Sequence, residues 1–205
     1  MRSFWLMLVL SILMTSPGLA LPLEPFRNDH ALARQAHRLA STTAETYLAF
    51  GTIPTLVPSR LDRRLRAAGG AFVTLVSEGR VRGCWGSVHP QTPSLAQEIQ
   101  QATVRALRED YRHHPVTRRE WPDLQIYVSL VGPLEPLEGP ADLSPKRDGL
   151  FVTTGGKGGV LLPGEGRTST WMVAECRRKA SLGPREPASM FRFPTLVFGP
   201  ESEKP

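Results

Sequence analysis

The chain has 205 residues, of which 40% are hydrophobic and 21% charged, with 18 glycines, 19 prolines and two cysteines. These proportions exclude wholesale disorder, a collagen-like repeat and a multi-span membrane protein, and two cysteines are too few for a disulfide scaffold or a four-cysteine zinc site. The net charge of +6 permits an anionic partner without identifying one, because 25 basic residues are offset by 19 acidic ones.

Arg2 precedes an apolar run over residues 4–14 that only Ser11 interrupts, and Pro17, Gly18 and Ala20 follow. A basic start, an apolar core and small residues before a cut form the pattern of a secretory signal. The run falls short of the roughly 20 residues that span a bilayer. The expectation is a signal peptide over residues 1–20, cut near Ala20, and an exported chain, periplasmic or secreted. Membrane contact is then expected only through an uncleaved signal segment.

Residues 21–28 contain Pro22 and Pro25 and read as an extended N-terminal arm. Asp29 is a helix cap, and Leu32, Ala36, Leu39, Ala40, Thr43 and Tyr47 recur at helical spacing until Gly51 and Pro54. Residues 52–59 read as loop and residues 60–66 as a short basic stretch. Residues 71–76 and 81–88 read as two strands joined by the turn chemistry of Ser77, Glu78, Gly79 and Arg80. Ser94 and Gln97 form a capping box, and Leu95, Ile99, Ala102 and Ala106 extend one apolar helix face to about Glu109. Thr117 and Glu120 form a second box, with Pro122 keeping any helix there short. Leu124, Ile126, Val128 and Leu130 alternate with polar neighbours, as in a strand with one buried face. Residues 132–146 hold four prolines and read as a surface excursion. Residues 149–154 and 159–162 flank a glycine-rich tip as a second hairpin. Residues 171–180 read as a short helix with a basic end that suits its dipole. A last strand is expected over residues 195–198 and a disordered tail over residues 199–205. Hairpins imply antiparallel pairing, so the expected class is α+β, an antiparallel sheet with flanking helices.

Gly70-Ala71-Phe72-Val73-Thr74-Leu75 followed by Val81-Arg82-Gly83-Cys84-Trp85-Gly86-Ser87 resembles the AMMECR1 domain family. The similarity continues at Pro90 and Leu95, at Ala106 to Pro115, and at Leu124 to Leu137. It continues again at Asp148-Gly149-Leu150, at Gly159 to Pro163, and at Cys176-Arg177-Arg178-Lys179-Ala180. It covers residues 29–198 and implies an α+β fold of two subdomains around an antiparallel sheet. Members of that family are discussed as enzymes, as nucleic-acid binders and as companions of other proteins, so the resemblance implies a fold and leaves the chemistry open. Trp85, the His113-His114 pair and Gly158 depart from the family pattern.

The segment from Arg82 to Ser87 is the strongest candidate site. Cys84 is a candidate nucleophile and His113 a candidate base; on a regular strand Arg82 would share the face of Cys84 and favour its thiolate. Gly83 and Gly86 would admit a ligand to the backbone, with Trp85 and Ser87 beside it and Asp110 and Arg112 pairing on the rim. The plainer alternative makes Cys84 a small buried residue and the glycines the shapers of a bulge. No metal site is expected: adjacent histidines on an extended segment point apart, and no third ligand is visible. Gly155 to Gly159 does not fit a phosphate loop, because Lys157 precedes a glycine between strands. No cofactor is identified, and a disulfide between Cys84 and Cys176 is left open. The basic residues lack interleaved aromatics, so nucleic acid is not expected. The reading is a small-molecule or peptide pocket around Cys84, with thiol chemistry left open. The alternative is a non-catalytic module docking a protein or peptide through the same groove.

Overall fold

A computed structural model describes residues 21–203, and the expected signal peptide lies outside them. Two helices open the described chain, α1 (Glu24–Arg27) and α2 (His30–Phe50). Asp29 caps α2, its Oδ1 accepting the Leu32 N–H at 3.0 Å. Gly51 closes α2 in the left-handed conformation, φ 71°, with its N–H on the Tyr47 carbonyl at 2.8 Å. The first hairpin is β1 (Ala71–Ser77) and β2 (Arg80–Ser87), turning through Glu78 and Gly79. Helix α3 (Leu95–Arg108) follows, capped by the Ser94 hydroxyl on the Gln97 N–H. Thr117 and Glu120 do form a capping box, but over a 3-10 turn, Arg118–Asp123, that contains Pro122.

Then come β3 (Leu124–Val131), β4 (Glu135–Pro136), β5 (Gly149–Thr154) and β6 (Lys157–Leu161). Helix α4 (Ser169–Lys179) and strands β7 (Ser189–Phe193) and β8 (Thr195–Phe198) complete the order. The strands form two four-stranded antiparallel sheets, β2-β1-β3-β8 and β4-β7-β5-β6. The class is α+β, as the hairpins required.

Alternation along β1 decides the packing. Ala71, Val73 and Leu75 are fully buried on one face, against Leu95, Ile99 and Ala102 of α3, in a core that α2 completes by packing on α3 and β3. Phe72 points the other way and packs with Val131, Leu162 and Phe193, where the two sheets meet. The second sheet buries Leu150, Val152 and Leu161 under Met172 and Cys176 of α4. Each such aliphatic or aromatic side chain contributes about 1.5–3 kcal/mol by leaving water, so both faces of the first sheet are held.

Three segments differ from the local reading. The arm is not extended: Pro25 sits in the first turn of α1, and Leu21, Leu23 and Phe26 are buried in the first core. Apolar docking overrides the two prolines there. Within residues 132–146, β4 pairs with β7, and Leu137 and Leu143 are buried, so the excursion covers the second core. In the expected tail, Pro200–Glu203 forms a 3-10 turn against α2. Strand β7 has no alternating pattern to announce it, since its burial is intermediate along most of its length. No described helix is long and apolar enough to cross a membrane.

Candidate functional site

Strand β2 turns two faces to two environments. Gly83 and Trp85 face the helices. A Cβ on Gly83 would collide with the Ala106 carbonyl of α3, so glycine is needed for that helix to approach the strand. Trp85 packs on the first core, with the Arg105 guanidinium 5.6 Å from its ring centroid. Cys84 and Gly86 face the other way, toward the second sheet, beside Phe72 and Thr74 of β1.

Cys84 is half-buried and tied on two sides. Its N–H donates to Asp110 Oδ2 at 2.9 Å, and the Thr74 hydroxyl donates to its Sγ at 3.3 Å. Asp110 lies just beyond α3, and its side chain is only 4% exposed. Arg112 grips it with two parallel bonds, Nε to Oδ1 at 2.8 Å and Nη2 to Oδ2 at 2.6 Å, and donates its own N–H to Oδ1 at 3.1 Å. Burial alone would raise the Asp110 carboxyl, but Arg112 and the Cys84 N–H outweigh it and hold the carboxyl at about 2. Burial pushes the Cys84 thiol up, outweighing the Thr74 hydrogen bond and the charge of Arg112. The resting side chain is therefore a neutral thiol.

The second sheet supplies the opposite wall. Gly158, Gly159 and Val160 of β6 face Phe72, Cys84 and Gly86 across a cavity of about 250 Å³. Leu162 and Glu165 extend that wall, and Lys179 at the end of α4 closes it, its Nζ donating to the Val160 carbonyl at 2.9 Å. Glu165 accepts the Leu162 N–H at 2.9 Å. Tyr111, exposed, and Arg112 stand at the mouth.

The structure brings together Cys84, Trp85, Gly86, Asp110 and Arg112 from the candidate segment. It sends others elsewhere. The register steps from Leu75 opposite Gly83 to Val76 opposite Val81, so Arg82 is the extra residue of a bulge. Its guanidinium turns to Glu120 Oε1 at 2.7 Å and the His114 carbonyl at 2.9 Å. The cation acting on Cys84 is Arg112, not Arg82. His113 lines a neighbouring depression with Arg82 and His114, outside the walls around Cys84. Ser87 accepts the His89 N–H at 3.1 Å at the strand end, and Gly83 is committed to α3. Cys84 and Cys176 are both free thiols. Burial raises Cys176 to about 12, and its Sγ lies 3.5 Å from the Leu150 carbonyl. Among the described residues no three His, Cys, Asp or Glu side chains converge as a metal site.

The local reading missed Lys179, Glu165 and Phe72. Lys179 was visible only as a basic helix end, and nothing near Glu165 or Phe72 in sequence marks them as walls of a cavity.

Residues 37–198 match the AMMECR1 family profile. An uncharacterized protein of Thermotoga maritima is 35% identical over 120 residues, covering 58% of this chain and 69% of that protein. Another, of Methanothermobacter thermautotrophicus, is 35% identical over 156 residues, covering 69% of this chain and 81% of its own length. The crystal structure of an uncharacterized protein from Pyrococcus horikoshii superposes with a TM-score of 0.74 at 29% identity, covering 82% of this chain and 90% of that one. The hairpin carrying Cys84, the two antiparallel sheets and these similarities agree: the chain belongs to the AMMECR1 family.

Proposed function

We propose that this chain binds a small polar molecule in the cavity between its two sheets, with Cys84 as a contact on the wall and not as an activated nucleophile. The observation that carries the proposal is the convergence on one cavity of a thiol, a locked carboxylate–guanidinium pair and a lysine, supplied by β2, by α3's exit loop and by the end of α4. Sites of this kind sit where structural layers meet and combine apolar walls with a few fixed polar groups. Against thiol catalysis stand the raised thiol and the absence of His113 from the walls.

The test is alkylation of the folded protein at mildly alkaline pH in the presence of a library of small polar fragments, read by intact mass. Compounds that slow labelling of Cys84, and that raise the melting temperature of both the wild type and Cys84→Ala, support the site. A library that neither protects Cys84 nor shifts the melting temperature refutes it. Loss of all fragment binding in Cys84→Ala would move the thiol from wall contact to the centre of the function.

The reading of residues 1–20 completes the proposal, placing the chain outside the cytoplasm. Protein recovered from the exported fraction should begin at Leu21; recovery only from the cytoplasm with residues 1–20 intact would overturn this.

A further inference from the structure

We infer that the cavity takes a free amino acid: its carboxylate on Arg112 and Lys179, its ammonium on Glu165, and its side chain on Phe72 and Leu162. This rests on the small-molecule reading above and narrows it to one chemical class.

The charges on the walls carry the inference. Four ionic side chains line the cavity: Asp110, Arg112, Glu165 and Lys179. Asp110 is neutralised in place by Arg112, which holds it through Nε and Nη2 and leaves Nη1 without an acceptor among the described residues. Lys179 donates one N–H to the Val160 carbonyl and forms no ion pair among the described residues. Glu165 takes the Leu162 N–H on Oε2, and its Oε1 has no donor among the described residues. What remains is two cationic groups, Arg112 at the mouth and Lys179 at the end of α4, and one carboxylate oxygen, on Glu165 of the wall that Lys179 closes.

An anion alone would bring its charge against Glu165. A cation alone would meet Lys179 and Arg112. A molecule carrying both signs finds a partner for each of its charges, and complementary placement of charge is what sets specificity in a partly desolvated site. The volume restricts the size. About 250 Å³ lies just below the roughly 300–1,000 Å³ of ordinary small-molecule sites, which suits a molecule of few carbon atoms. Phe72, Val160 and Leu162 give that molecule an apolar surface. A peptide separates its two terminal charges along its backbone, whereas a free amino acid carries them on one carbon.

The experiment is calorimetric titration of the purified chain with each of the twenty L-amino acids. The matched probes are 4-methylpentanoate, 3-methylbutylamine, the neutral 4-methylpentanamide and the dipeptide Leu-Gly. At least one apolar amino acid should bind, with each single-charge or neutral analogue roughly tenfold weaker or worse, as for loss of one charged hydrogen bond. Glu165→Gln should weaken the amino acid roughly tenfold and leave 4-methylpentanoate unchanged or tighter. Lys179→Gln, which keeps a donor for the Val160 carbonyl, should weaken both. Equal binding of 4-methylpentanoate and leucine, or preference for the amide or dipeptide, overturns the zwitterion. So does failure of all twenty amino acids. If fragments still protect Cys84 in that case, the cavity reading stands and only its ligand class falls; if they do not, both fall.

Discussion

The two hairpins of this fold solve the same packing problem and differ in what they expose. In each, the returning strand carries a glycine pressed against a helix backbone: Gly83 of β2 on the Ala106 carbonyl of α3, and Gly159 of β6 on the Cys176 carbonyl of α4. A side chain at either place would push the helix off its sheet. The thiols then fall on opposite sides. Cys84 is on the strand, one residue from its glycine, and faces the cavity. Cys176 is on the helix and is sealed under β5 and β6. A glycine beside a cysteine thus marks close helix approach in both hairpins, and only strand alternation, together with the Asp110 loop, turns one of the two thiols toward a site.

The most severe way to break this parallel is to fill the glycines. Gly83→Ala and Gly159→Ala should each lose about 3 kcal/mol in urea unfolding, the upper part of the range for overpacking against an unyielding neighbour. A loss under about 1 kcal/mol at either site would show that the helix there is free to shift.

Next comes the tie that only the first hairpin has. Asp110→Asn should cost about 2 kcal/mol at neutral pH, because Arg112 and the Cys84 N–H lose the buried charge they share. The pH dependence follows with a definite sign. The folded Asp110 carboxyl, at about 2, lies below its unfolded value of about 3.9. Its contribution is complete above roughly pH 4 and is lost as the pH falls toward 2. Denaturant melts across this window should be shallower in the variant than in the wild type, though not flat, since Asp62 is also held at about 2 by Arg64.

The thiols sharpen the comparison further. Cys176→Ala should cost about 1.5 kcal/mol and Cys84→Ala about 0.5, as expected for removing one buried atom from a sealed core and from a cavity wall. Iodoacetamide should label Cys84 in the folded protein only above the ordinary thiol value of about 8.5; it should reach Cys176 only after unfolding. Rapid labelling of Cys84 near neutrality would contradict the neutral thiol. The smallest effect is expected at the exposed pair of Glu175 and Arg178 on α4, 2.6 Å apart. Glu175→Gln should change stability by less than about 0.5 kcal/mol, and a larger loss would mean that α4 depends on that pair for its seat on the second sheet.

Much of the architecture was open to local reading because it rests on short-range rules. Asp29 and Ser94 cap their helices through neighbours three residues on, and β1 alternates Ala71, Val73 and Leu75 against Phe72 and Thr74. Asp110 and Arg112 are two positions apart, so their pairing needed no knowledge of the fold. Strand β7 and the arm escaped, because Met190 to Arg192 are only partly buried and because the prolines around Leu23 conceal a docked helix.

By itself, then, the sequence determined the α+β class, both hairpins, the main helices, the family and the prominence of the Cys84 segment. All of these follow from periodicity, capping, turn chemistry and motif order along the chain. Only the tertiary structure decided the site. The bulge turned Arg82 to Glu120, an interaction between residues far apart in sequence. Sheet-on-sheet packing brought Gly159, Glu165 and Lys179 opposite Cys84 and left His113 outside. A cavity wall is made of residues whose only relation is that two separately folded layers meet there, and no local pattern along the chain records which residues those will be.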